Sequence, residues 1–121
     1  MSESFQAGFD PASFGARSLY LDAGGVRTHY LEAGQGPPLV LIHGGGAGAD
    51  SIGNWSACIP ILARNFWVIA PDMIGFGRTD KPSPDVYAYD QPGRNRHMQV
   101  FLEALSLEGA AVVGNSMGGA L

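Results

Sequence analysis

Cysteine occurs once in this chain, at Cys58, so no internal disulfide can form, and a lone thiol fits a reducing compartment. Charge is sparse as well. Charged residues make up 15% of the sequence, with 7 Lys and Arg against 11 Asp and Glu, for a formal net charge of -4. Without a Lys/Arg cluster the chain lacks the electrostatic footprint of a nucleic-acid or anionic-membrane binder. No apolar run approaches the roughly 18 residues needed to cross a bilayer. The opening stretch MSESFQAGFDPASFGARS has neither the basic start nor the apolar stretch of a secretory leader. Residues 1–17 therefore read as a loosely ordered arm, and the cytoplasm is the expected compartment.

Glycine, by contrast, is plentiful, with 18 in 121 residues. Much of it stands in short clusters between apolar runs (Gly24-Gly25, Gly44 to Gly46, Gly75 and Gly77, Gly118-Gly119), a pattern of tight loops within one folded unit. SLYLDAGGVRTHYLEAG alternates on both sides of Gly24-Gly25 and predicts a β-hairpin. Leu39 to Ile42 and the stretch FWVIAPD are apolar without alternation, as strands buried on both faces of a parallel sheet are. Asn54 to Arg64 has helical spacing broken by Pro60, so a short or irregular helix is expected there. MIGFGRTDKPSPD reads as a loop. The next helix is expected to be capped by Asp90, with Pro92 in its first turn, a stripe of His97/Met98, Phe101/Leu102 and Leu105, and a stop at Gly109. Ala110 to Val113 is the last strand, and it runs into a helix beginning at Ser116. The order β, β, β, α, β, α, β predicts an α/β fold: a first hairpin, then parallel strands with helices.

Chemistry enters at that last turn. Gly114-Asn115-Ser116-Met117-Gly118 has the G-x-S-x-G pattern of a nucleophile elbow. A sharp strand-to-helix turn lifts the Ser116 hydroxyl clear of the sheet, small residues at 114 and 118 avoid clashes, and the Met117 amide opens a helix where an oxyanion would form. A second amide donor has to come from another loop. HGGG at 43–46 follows an earlier strand at the same end of a parallel sheet, and its glycines allow close backbone approach.

These motifs give the chain its resemblance. GGVRTHYLEAGQGPPLVLIHGGGAGADSIGNW, VIAPDMIGFGRTDKP and VVGNSMGGA resemble the α/β-hydrolase fold family, and within it the meta-cleavage product hydrolases, over Ser18 to Leu121. The resemblance implies a hydrolase that cleaves a carbon–carbon bond of a 2-hydroxy-6-oxo-dienoate during aromatic hydrocarbon catabolism, with no metal or organic cofactor and with a full-length relative that is a homo-oligomer. It implies Ser116 as nucleophile, and Met117, Gly45 and Gly46 as the oxyanion and substrate-oxygen donors. Asn54 and Asn115 would hold the polar dienoate end, and Trp55 carries no catalytic role. Residues 18–121 then correspond to the N-terminal portion of the core domain, without its cap domain or later strands.

A serine nucleophile needs a base, and a carboxylate to hold that base in its working tautomer. In this fold both follow the serine in the chain. Met117 to Leu121 contain no acidic residue and no His. The chain by itself is thus expected to be inactive, with an open apolar edge at its last strand and no stable monomeric fold. The three histidines are weak substitutes: His29 sits in the hairpin, His97 on a helix, and His43 more naturally orients the HGGG loop by hydrogen bonding. Asp72, at a strand end, is expected to bind amides of the following IGFGR turn rather than to serve a triad. Arg78 and Lys81 read as solvated loop charges, and Cys58 as a small apolar filler. Two other functions fit parts of the pattern: a carboxylesterase or lipase-like hydrolase sharing the elbow and HGGG, and a non-enzymatic remnant that binds through its exposed last strand.

Overall fold

The computed structural model describes residues 11–44, 50–82, 91–107 and 110–114. After a 3-10 turn at Pro11–Phe14 come β1 (Arg17–Ala23), β2 (Val26–Ala33) and β3 (Pro38–Ile42). Two short helices follow, α1 (Ser51–Trp55) and α2 (Ile59–Leu62), then β4 (Trp67–Pro71), α3 (Gln91–Ala104) and β5 (Ala111–Gly114). The strands form one sheet in the order β1-β2-β4-β3-β5. β1 and β2 pair antiparallel, β2 and β4 pair antiparallel, and β3 runs parallel to both β4 and β5.

The hairpin forms because Ala23 and Val26 close a two-residue turn whose residues, Gly24 and Gly25, both have positive φ (61° and 91°). That is the geometry of a type I′ turn, whose twist matches that of the strands. Asp22 Oδ1 accepts the Gly25 N–H at 2.6 Å and fastens it.

The continuous apolar runs are buried on both faces, as their composition predicts. On one face Leu39 and Leu41 of β3 join Val68 and Ala70 of β4, Leu31 of β2, and Ile52 and Ile59 from the short helices. On the other face Val40, Ile42 and Ile69 join Tyr30, Met98 and Phe101, and α3 covers them. β5 differs: among the described residues it is an outer strand, with Val112 52% and Val113 45% exposed.

Two helix boundaries depart from the sequence expectations. The helical segment starts at Ser51 rather than Asn54, because Asp50 caps it by accepting the Gly53 N–H at 2.7 Å. Pro60 does not interrupt a helix. It lies in the first turn of α2, where its missing N–H costs no hydrogen bond. The end of α3 is set by Ser106, not Gly109. Ser106 takes φ 55°, its N–H binds the Glu103 carbonyl at 2.9 Å, and the Leu107 N–H binds the Leu102 carbonyl at 3.1 Å. These two bonds make a Schellman cap, here with serine in the position that usually takes glycine. The expected cap Asp90 and the expected stop Gly109 lie outside the described residues.

Candidate functional site

Parallel pairing brings the ends of β3, β4 and β5 to one edge of the sheet. Ile42 lies opposite Gly114 in the β3–β5 register, so these two strands end side by side. At this edge the core stops being apolar. Thr28, His29, His43, Ser51, Asp72, Thr79 and His97 are all buried. Buried polar groups are tolerated only when hydrogen-bonded, and these are bonded to one another and to the backbone.

Asp72 is the hub. Its Oδ1 accepts from the Ser51 N–H and the Ser51 hydroxyl, both at 2.8 Å. Its Oδ2 accepts from His29 Nδ1 at 2.7 Å and from the Arg78 N–H at 3.1 Å. Burial alone would push this carboxyl up, but the hydrogen bonds from His29, Ser51 and Arg78, with the charge attraction of His29, outweigh it and hold Asp72 below the usual carboxylate value. Gly77, with φ 53°, turns the chain so closely around this carboxylate that any Cβ there would overlap it. Asp72 thus binds the turn that follows it, as expected. It also anchors α1 and β2, which sequence reading missed. Strand alternation puts His29 on the same inward face as Leu31 and Ala33, which signals burial. Nothing local names a partner 43 residues away.

His43 closes the other side. The Met73 N–H donates to His43 Nε2 at 2.9 Å, so the ring proton sits on Nδ1 and donates to the Gly44 carbonyl at 2.8 Å. Both nitrogens are committed to holding the loop, as expected of this residue. Asn54, on α1, accepts the Gly44 N–H on its Oδ1 at 2.8 Å. The segment that enters the glycine loop is therefore gripped from β4 through His43 and from α1 through Asn54.

His97, expected on the helix stripe with Met98, is buried. The Ile74 N–H donates to its Nδ1 at 3.0 Å, which places the proton on Nε2, facing Thr28 Oγ1 at 2.8 Å. The Thr28 hydroxyl in turn donates to the Val26 carbonyl at 3.0 Å. Burial lowers the His97 pKa to about 4. All three histidines therefore have both ring nitrogens hydrogen-bonded within the fold. Cys58 is exposed, not the buried filler that its residue type predicts. The backbone carbonyls of Gly77 and Thr79 hold Lys81 Nζ, at 2.6 and 3.4 Å, so this cation is tied to its loop.

Of the six expected site residues, Asn54 stands at this edge. Gly45, Gly46, Asn115, Ser116 and Met117 lie outside the described residues. Among the described residues no three His, Cys, Asp or Glu side chains are placed to share a metal ion, and no helix is long and apolar enough to cross a membrane. A hollow lined by Arg17, Glu32, Gly34, Gly36 and Trp67 lies at the opposite end of the sheet, where β4 begins, and takes no part in this network.

A hairpin followed by parallel strands interleaved with helices is the topology of the N-terminal part of an α/β-hydrolase sheet. The chain belongs to the alpha/beta hydrolase fold family, whose model matches residues 37–121. It is similar to a 2-hydroxy-6-oxo-6-(2'-aminophenyl)hexa-2,4-dienoic acid hydrolase of Metapseudomonas resinovorans, with 57% identity over 84% of this chain and 34% of the relative. A 2-hydroxy-6-oxo-2,4-heptadienoate hydrolase of Pseudomonas putida is 43% identical over 82% of this chain and 35% of its own length. Among solved structures, a serine hydrolase involved in carbazole degradation (CarC enzyme) superposes with a TM-score of 0.82 and 54% identity, covering 88% of this chain and 40% of that one. The chain thus resembles the meta-cleavage product hydrolases, and it spans about a third of the length of the curated relatives it matches.

Proposed function

We propose that this chain carries the nucleophile and oxyanion loop of a serine hydrolase that cleaves a carbon–carbon bond in ring-opened aromatic dienoates. The observation that supports the reading is the register of Ile42 against Gly114, which sets the residue before the HGGG motif beside the first residue of the GNSMG motif. Similarity to two dienoate hydrolases supports the substrate class.

In this reading the 2-hydroxy-6-oxo-dienoate first ketonises, so that the departing fragment can leave as a stabilised carbanion equivalent. Ser116 then assists attack at the C6 carbonyl. The Met117 amide and the Gly45–Gly46 segment stabilise the oxygen that gains charge. Asn54 and Asn115 hold the dienoate end. The Asn54 carbonyl oxygen also binds the Gly44 amide, so this residue couples substrate contact to loop position. The products are a 2-hydroxypentadienoate and a carboxylic acid. The general base for Ser116 is not drawn from the three histidines present: His43 and His97 take backbone amides on their accepting nitrogens, and His29 faces Ser18.

The test is a chimera in which residues 1–121 replace the matching stretch of the Metapseudomonas resinovorans relative. We expect it to bleach a chromogenic dienoate, and Ser116→Ala to slow turnover by about a thousandfold or more. The 121-residue chain alone is expected to show no turnover. A chimera that hydrolyses p-nitrophenyl acetate but leaves the dienoate intact would move the assignment to a carboxylesterase.

A further inference from the structure

Away from the proposed elbow, three side chains stand in the relation of nucleophile, base and orienting acid. We propose that Ser18 is a second reactive serine of this chain, set by His29 and Asp72 to accept an acyl or phosphonyl group from an activated ester.

Ser18 lies on β1 opposite Leu31, and Tyr20 lies opposite His29. Alternation places Ser18 on the same face of the sheet as His29. Ser18 Oγ is 2.6 Å from His29 Nε2, and His29 Nδ1 is 2.7 Å from Asp72 Oδ2. Ser51 and the Arg78 amide keep the Asp72 carboxylate ionised and fixed, so it accepts the Nδ1 proton. In the neutral imidazole Nε2 is then the accepting nitrogen, and the Ser18 hydroxyl donates to it. A serine whose proton points at a base, itself oriented by a buried carboxylate, is the arrangement that activates a nucleophile.

The other two histidines show that this is not a generic consequence of burial. His43 turns its accepting nitrogen to the Met73 amide. His97 also faces a hydroxyl, Thr28, but its accepting nitrogen holds the Ile74 amide, so it donates to Thr28 rather than taking its proton. Only His29 offers a lone pair to a hydroxyl. His29 and Asp72 are buried, and the hydrogen bond to Ser18 is part-buried at the outer strand of the hairpin. The base is shielded while the hydroxyl lies at its border with solvent.

With a fluorophosphonate, the Ser18 Oγ–P bond forms as the P–F bond breaks. The hydroxyl proton passes to His29 Nε2, making an imidazolium beside the Asp72 carboxylate, and leaves with the fluoride into water. The proposal is for one covalent transfer, not for turnover.

The experiment is labelling of the chimera that carries residues 1–121 with a small alkyl fluorophosphonate, followed by peptide mapping by tandem mass spectrometry. We expect an adduct on the peptide that contains Ser18, beside one on Ser116; the Ser18 adduct is retained in Ser116→Ala and absent in Ser18→Ala. Labelling of Ser18 should slow about a hundredfold or more in His29→Gln and in concentrated urea, the loss expected when a positioned general base is removed. The urea arm needs no variant to fold. An adduct on Ser116 alone, no adduct on either serine, or labelling of Ser18 at the same rate in urea would each overturn the inference. An adduct on Ser18 without one on Ser116 would sustain it while counting against the proposed nucleophile.

Discussion

The middle of the sheet and its carboxyl edge are buried to the same degree and held by different forces. Val40 and Ile69 are neighbours in the β3–β4 register, and both are fully buried. Three residues further along, just past the end of each strand, His43 and Asp72 are just as inaccessible. In the middle, stability comes from area removed from water and from close packing, both of which are graded and non-directional. At the edge it comes from donors and acceptors that each have a specific partner, where a missing partner leaves a desolvated polar atom behind. The centre should therefore tolerate substitution that the edge does not, although neither region sees solvent.

The sharpest way to break this contrast is Asp72→Ala. It strands His29, both donors of Ser51 and the Arg78 amide at once. In the chimera that carries residues 1–121 we expect a loss of about 3–5 kcal/mol by urea unfolding, the range for removing one partner of a buried ion pair. A loss below about 1 kcal/mol would mean that water replaces the carboxylate and that the edge is not dry.

Acid is the next largest perturbation. Burial disfavours the charged form of His97 and lowers its pKa in the folded chain to about 4, against an ordinary value of 6.5. Below pH 6.5 the unfolded chain takes up a proton that the folded chain refuses. Stability should thus fall as pH drops from about 6.5 to about 4, by roughly 2–3 kcal/mol, and the His97 contribution then levels off. Asp72 acts in a lower window. Its folded pKa is depressed, so its contribution is present above the ordinary carboxylate value and is lost as pH falls through the folded one. Thermal unfolding of the same chimera measured across pH should show the upper slope flattened in His97→Gln and the lower one retained.

The centre supplies the smaller effects. Ile69→Val removes one methylene group among close-packed neighbours and should cost about 0.5–1.5 kcal/mol in the same unfolding assay. Smallest is Arg17→Ala. The Arg17–Glu32 pair is short, at 2.6 Å, but the Arg17 side chain is 70% exposed, so its loss should be under about 1 kcal/mol and should shrink further in salt.

Much of the fold was legible in the chain. The alternation around Gly24-Gly25 located the hairpin, the unbroken apolar runs located β3 and β4, and the stripe of Met98 and Phe101 located the buried face of α3. These signals are local, because periodicity and turn chemistry act over a few residues. The misses were local too, but each turned on a side chain with two readings. Asp50 became a cap and moved the start of α1. Ser106 adopted the left-handed conformation and stopped α3 ahead of Gly109. Lone Cys58 stayed outside the core. The site divided differently. HGGG and GNSMG could be read as motifs because each needs its residues in one run of chain. The network of Asp72, His29 and Ser18 could not be read, because its members come from three segments.

By itself the sequence determined the order and kind of the elements, the apolar faces that must meet, and the two glycine-rich motifs that mark this family. Only the tertiary structure decided which nitrogen of each histidine carries the proton, which hydroxyl faces a base, and which carboxylate ties β1, β2, β4 and α1 together. The reason is physical. Burying an apolar side chain requires only that it be covered, whereas burying a polar one requires a partner at hydrogen-bond distance and angle. That partner exists only after the chain has folded back on itself.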